Sequence, residues 1–145
     1  MHRRFILLIL LSSWVLSGQA QNYVVNSAND VDDGMCDGVH CSLREAIKAA
    51  EADGLPSTIT FNIPSAGPHL INPTGPFPNI TQPDLSIIGE SQPGGPGSLV
   101  IEFNYRQFFG MPFWQILASR FSISGFEIRK FLFENPGETI FQFGT

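Results

Sequence analysis

The chain has 145 residues, of which 14% are charged, with 14 glycines, 11 prolines and 13 phenylalanines. That is enough for one domain with a real core, and the lack of any long polar tract excludes global disorder. The net charge is −5, and −7 once Arg3 and Arg4 are set aside (six basic against 13 acidic residues), so the surface repels phosphate backbones and argues against nucleic acid as a partner.

The first twenty residues read as an export signal. His2-Arg3-Arg4 is a basic start, Phe5 to Leu16 is a mostly apolar run, and Ser17-Gly18-Gln19-Ala20 supplies small residues for cleavage after Ala20. The apolar run is shorter than the roughly 20 residues of a membrane span, so no transmembrane segment is expected after cleavage. The alternatives are an uncleaved anchor or a core helix. Export places the chain in the medium or at the cell surface.

Tyr23-Val24-Val25 is a β-prone run, and Asn26 to His40 is a polar, acidic, Gly-containing loop. A helix is predicted over Ser42 to Asp53. Ser42 and Glu45 have the spacing of a capping box, and Leu43, Ala46, Ile47 and Ala50 form one apolar stripe. Arg44, Lys48 and Glu51 fall off that stripe. Gly54 stops the helix and Pro56 prevents its return.

After Pro56 the period changes from 3.6 to 2. Ile59, Phe61 and Ile63 alternate with polar residues, and further strands are expected at His69–Ile71, Leu85–Ile88, Leu99–Phe103, Phe121–Ile128 and Thr139–Phe143. Gly125 marks a bend or bulge in one of them. Phe113 to Leu117 reads equally as strand or helix. A sandwich needs hairpin turns of the Asn-Gly or Asp-Gly kind, and after Gly38 none stands between two predicted strands. Short strands with irregular turns suit a parallel β-helix, although the repeat is imperfect.

The run Cys41-Ser42-Leu43-Arg44-Glu45-Ala46-Ile47, behind an acidic loop containing Cys36, resembles the N-terminal CSLREA domain of secreted bacterial β-helix proteins. Thr58 to Pro64, Leu85 to Gly89, Ser91 to Gly94 and Phe121 to Arg129 resemble later parts of the same family. The resemblance implies a mainly β chain that starts a right-handed parallel β-helix of the pectin-lyase-like kind, with one N-terminal amphipathic helix as its cap. It implies export and a surface, structural or adhesion role, and it implies no activity. The expected organisation is residues 1–20 as signal, 21–56 as a cap of strand, disulfide loop and helix, and 57–145 as the first coils. In this reading Leu43, Ala46, Ile47 and Ala50 lie across the open core as a lid, and Glu45 caps its own helix. The Phe-rich end lacks a second cap, so the coils are expected to be incomplete there, or the tail to fold back or pair between chains.

Cys36 and Cys41 are the only cysteines, and an oxidising compartment favours a disulfide between them. The alternative is a metal site of Cys36, His40 and Cys41, which lacks a fourth ligand. Asp30, Asp32 and Asp33, with Asp37 nearby, resemble a fragment of a calcium loop, against the simpler reading of a solvated acidic loop. No other cofactor is expected.

No catalytic residue is selected by the sequence. For a hydrolase, Glu102, Glu127, Glu134 and Glu138 are available carboxylates. For a lyase, Arg120 and Arg129 are candidate bases beside Glu102 and Glu127. Charged outward strand positions are ordinarily just solvated, and His40 and His69 have no nucleophile beside them. Cell-surface or extracellular glycans or proteins are the candidate partners, with Trp114 or Tyr105 as sugar-stacking residues unless they pack in the core. Asn79-Ile80-Thr81 matches a glycosylation sequon, which carries little weight if the resemblance to bacterial proteins holds.

Overall fold

The computed structural model describes residues 18–104, 112–131 and 141–143. The export signal therefore lies almost wholly outside the described residues, as do Tyr105, Glu134 and Glu138. Strand β1 (Gln21–Val25) is followed by helix α1 (Leu43–Asp53) and strands β2 (Ser57–Phe61), β3 (His69–Ile71), β4 (Leu85–Ile88), β5 (Leu99–Asn104), β6 (Trp114–Ile116), β7 (Ser122–Ser124), β8 (Glu127–Phe131) and β9 (Phe141–Phe143). The segment Phe113 to Leu117 thus resolves as a strand. The run Phe121 to Ile128 splits in two at Gly125, whose positive φ of 77° sends β7 and β8 into different sheets.

Every strand pairing among the described residues is parallel. One sheet has the order β1-β2-β4-β7, a second β3-β5-β8, and a third joins β6 to β9. This corrects the expectation of a right-handed parallel β-helix solenoid. Among the described residues the strands form short parallel sheets beside a single helix, a mixed, α/β-like arrangement of parallel sheets. A solenoid repeats at equal intervals. Here Gln21 stands opposite Ser57 and Ser57 opposite Leu85, so the first interval, which holds the loop and the helix, is longer than the second. The period of two after Pro56 reports that each strand buries one face. It carries no information on how the strands stack, which is where the expectation failed.

The helix forms for the reasons its sequence gives. Ser42 is extended at the N-cap, its hydroxyl accepts from Glu45 N, and Glu45 in return accepts from Ser42 N. Gly54 closes the helix in the left-handed region at φ 67°. Leu43, Ala46, Ile47 and Ala50 are all buried and belong to one apolar cluster with Val25, Ile59, Phe61, Leu85, Phe103 and Trp114. Burial of each large aliphatic side chain contributes about 1.5–3 kcal/mol. Helix and sheets therefore share one core, and the stripe seats α1 against β1 and β2.

Side chains complete the framework where backbone pairing ends. Gln92 accepts from Ile63 N at 2.8 Å and donates to Ile63 O at 3.0 Å, and its amide also meets His69 Nε2 at 3.2 Å. His69 is thus part of an interior polar brace. Among the described residues no helix is long and apolar enough to cross a membrane.

Candidate functional site

The densest chemistry lies in the loop between β1 and α1. Cys36 and Cys41 form a disulfide, which removes both sulfurs from any metal site with His40. Asn26 braces the same loop: its Oδ1 accepts from Cys41 N at 2.7 Å and its Nδ2 donates to Asp37 O at 3.0 Å. Asp37 Oδ1 accepts from Val39 N and His40 N. These bonds leave His40 little freedom and place it beside the helix start.

The four acidic residues of the loop do not converge. Asp30 is buried and is gripped by Arg44, with Nη2 at 2.8 Å from Oδ2 and Nε at 3.1 Å from Oδ1. Thr74 adds its N–H and its hydroxyl to the same carboxylate. Asp32 pairs with Lys48, whose ammonium holds the carboxyl below its usual range. Asp37 is held low by the backbone N–H groups of His40 and Val39. A calcium site needs several oxygens turned to one point; the geometry instead turns Asp30, Asp32 and Asp37 to separate donors.

Asp33, His40 and Glu45 are brought together. Their ligand-capable atoms all lie within 4.8 Å of one another. His40 Nδ1 is 2.9 Å from Glu45 Oε2 and 3.5 Å from Asp33 Oδ2, and His40 Nε2 is 2.9 Å from Asn29 Oδ1. Burial pushes the Glu45 carboxyl up, but the N–H groups of Ser42 and Asp33 outweigh it and hold the group below its usual range. Glu45 is therefore more than a helix cap, since its Oε1 also accepts from Asp33 N at 2.6 Å. The sequence reading missed this grouping because three residues on an irregular loop share no period. Its one local signal was a histidine between acidic residues and a capping glutamate.

Arg44 is implied to be structural by the CSLREAI resemblance, which does not name its partners. Besides Asp30 it donates to Pro76 O at 2.7 Å and Gly75 O at 2.9 Å, and its guanidinium stands over the Phe77 ring at 5.4 Å. It ties the loop, the helix and the 74–76 turn together.

The two candidate arginines are each paired with a carboxylate. Glu127 accepts from Arg129 Nε at 2.7 Å, and Glu102 stands opposite Arg129 in the β5–β8 register. Arg120 pairs with Asp84. Both guanidiniums are pushed above their ordinary range by these carboxylates, which is the wrong direction for an arginine base. Trp114 is fully buried, 4.8 Å from Phe77, with its indole N–H donating to Pro78 O, so it packs the core and offers no face to a sugar. Thr81 of the Asn79 sequon bonds Glu51.

One open groove of about 520 Å³ runs along β1. Asn22, Tyr23, Asn26, Asp37 and Asn62 supply its polar lining. No family model, no curated protein and no solved structure matches the chain.

Proposed function

We propose that the chain is an exported protein with a structural or adhesive role at the cell surface or outside it, and that it acts by binding rather than by catalysis. The observation that carries this reading is where the charged side chains go. Arg44 and Asp30 are consumed in holding the fold, and Arg120 and Arg129 are paired with carboxylates that keep them cationic. The Cys36–Cys41 disulfide supports an oxidising destination. The CSLREAI resemblance points the same way.

Extracellular glycans are the partner class favoured by the groove along β1. Amide and carboxylate groups at Asn22, Asn62 and Asp37 along it suit the hydroxyls of sugars. The test is expression of the full chain with its own leader, followed by fractionation and a panel of acidic and neutral polysaccharides. Export, an oxidised cysteine pair, and retention on a polysaccharide without turnover are expected. A reduced, retained cytoplasmic chain would overturn the export reading. Turnover lost in Glu102→Gln or Glu127→Gln would replace binding with catalysis.

A further inference from the structure

We infer that Asp33, His40 and Glu45 form a binding site for a single divalent transition cation of the zinc type, built on the disulfide loop at the start of α1. The tautomer of His40 is set by its neighbour Asn29. Asn29 Oδ1 accepts from Val31 N at 3.1 Å, which fixes that atom as oxygen and not the amide nitrogen. His40 Nε2, 2.9 Å away, must therefore carry the proton and donate to it. In the neutral ring the lone pair then resides on Nδ1.

That nitrogen is buried and has no aligned hydrogen-bond donor. Its nearest neighbours are two carboxylate oxygens, Glu45 Oε2 at 2.9 Å and Asp33 Oδ2 at 3.5 Å. With the ring neutral, three lone-pair atoms face one another, and a cation between them, a metal ion in place of a proton on Nδ1, resolves the repulsion. Ligands at about 2.0–2.2 Å from zinc lie roughly 3–3.5 Å apart, and the two nitrogen–oxygen separations agree with that spacing.

The surrounding contacts resemble the supports of a metal site. A metal-bound imidazole ordinarily donates its other N–H to an oxygen acceptor, as His40 does to Asn29. Glu45 is oriented by Ser42 N and Asp33 N, one on each oxygen, and Asp33 Oδ1 accepts from Met35 N, which leaves Oδ2 for the cation. One nitrogen and two carboxylates carry a charge of −2 and suit zinc better than calcium, which takes six to eight oxygens. Three protein ligands leave a fourth position for water or a partner's side chain.

Calorimetry of the full-length chain with Zn²⁺, and the visible spectrum after Co²⁺ loading, test the assignment. A single site is expected, with a Co²⁺ spectrum of low-coordinate nitrogen–oxygen ligation. His40→Ala and Asp33→Asn should each weaken Zn²⁺ binding tenfold or more. Asp32→Asn, an acidic neighbour outside the triad, should leave it unchanged. Circular dichroism and thiol titration establish that each variant keeps its helix and disulfide, and Glu45 is left intact because its loss also uncaps the helix. Failure of the folded wild type to bind Zn²⁺ at hundreds of micromolar overturns the site. So does equal weakening by Asp32→Asn and His40→Ala, which would mean diffuse attraction to an acidic loop. Either result leaves the proposals of export and glycan binding standing.

Discussion

Arg44 and Asp30 form a buried fork, the guanidinium reaching both carboxylate oxygens while Thr74 donates its N–H and hydroxyl to Oδ2 of the same carboxylate. The side chains are only 13% and 1% exposed. Removing one partner strands the other charge away from water, at a cost of about 3–5 kcal/mol. Arg44→Ala and Asp30→Asn should both lower the denaturant midpoint sharply. Arg44→Lys should recover only part of the loss, since an ammonium cannot match the fork and also reach Gly75 and Pro76. A neutral result in equilibrium unfolding would show that the fork is incidental.

The disulfide closes a short loop, so its chain-entropy contribution is about 2 kcal/mol. Reduction of the folded chain should lower the unfolding midpoint by a corresponding amount. It should also speed hydrogen exchange at Val39 and His40, whose amides sit on Asp37 inside the closed loop. An unchanged midpoint after complete reduction, verified by thiol counting, would contradict this.

Tyr23 links β1 to the end of α1. Its hydroxyl donates to Asp53 Oδ2 at 2.7 Å, and burial together with that neighbouring carboxylate pushes the phenol up from 10.0 to about 12. The proton is held more tightly in the folded state than in the unfolded one. The associated stability is therefore complete below pH 10 and is lost as pH rises toward 12. Allowing for partial exposure, the loss is on the order of 1–2 kcal/mol. Tyr23→Phe should forfeit about 1 kcal/mol at neutral pH through the lost hydrogen bond. It should also flatten the alkaline decline in stability and remove the late phenolate transition from the ultraviolet absorbance. An alkaline slope identical in both proteins would refute the assignment.

Gly125 combines a left-handed backbone with a crowded crossing. A Cβ there would stand 2.3 Å from Glu90 N, and one on Gly89 would stand 2.7 Å from Gly125 O. Gly125→Ala should destabilise by at least about 1–3 kcal/mol, because both strain and a backbone clash oppose it. Gly38→Ala, with nothing within 4 Å, is the matched control and should stay within about 0.5 kcal/mol of the parent. Thermal melting of the two variants side by side decides the matter.

What the sequence disclosed was local. Ser42, Glu45 and Gly54 signal the helix ends through neighbours a few residues away, and the apolar stripe follows from the helical period. Strands such as Ser57–Phe61, His69–Ile71 and Leu85–Ile88 are legible for the same reason, whereas Phe113 to Leu117 reads equally as helix and Phe121 to Ile128 reads as one strand where the fold has two. The arrangement of sheets is not legible, because it depends on which distant strands pair. Asp30 was read as a calcium candidate because its loop is acidic, yet its partners are Arg44 and Thr74, far along the chain. From the sequence His40 has no nucleophile beside it and only Cys36 and Cys41 as co-ligands, whereas the folded loop and helix bring it to Asp33 and Glu45.

Gln92 carries a consequence of a different kind. By accepting from Ile63 N and donating to Ile63 O, its side-chain amide imitates the peptide group of a neighbouring strand. On the edge of β2 away from β1 the ladder beyond Phe61 is thereby finished by a side chain, while on the β1 edge main chain continues from Asn62 N to Val25 O. The turn that follows Ile63 then need not match any partner in register, and its length and composition can drift without disturbing the sheet. A one-residue insertion after Ser65 should be tolerated in the parent and become damaging once Gln92 is replaced by Leu.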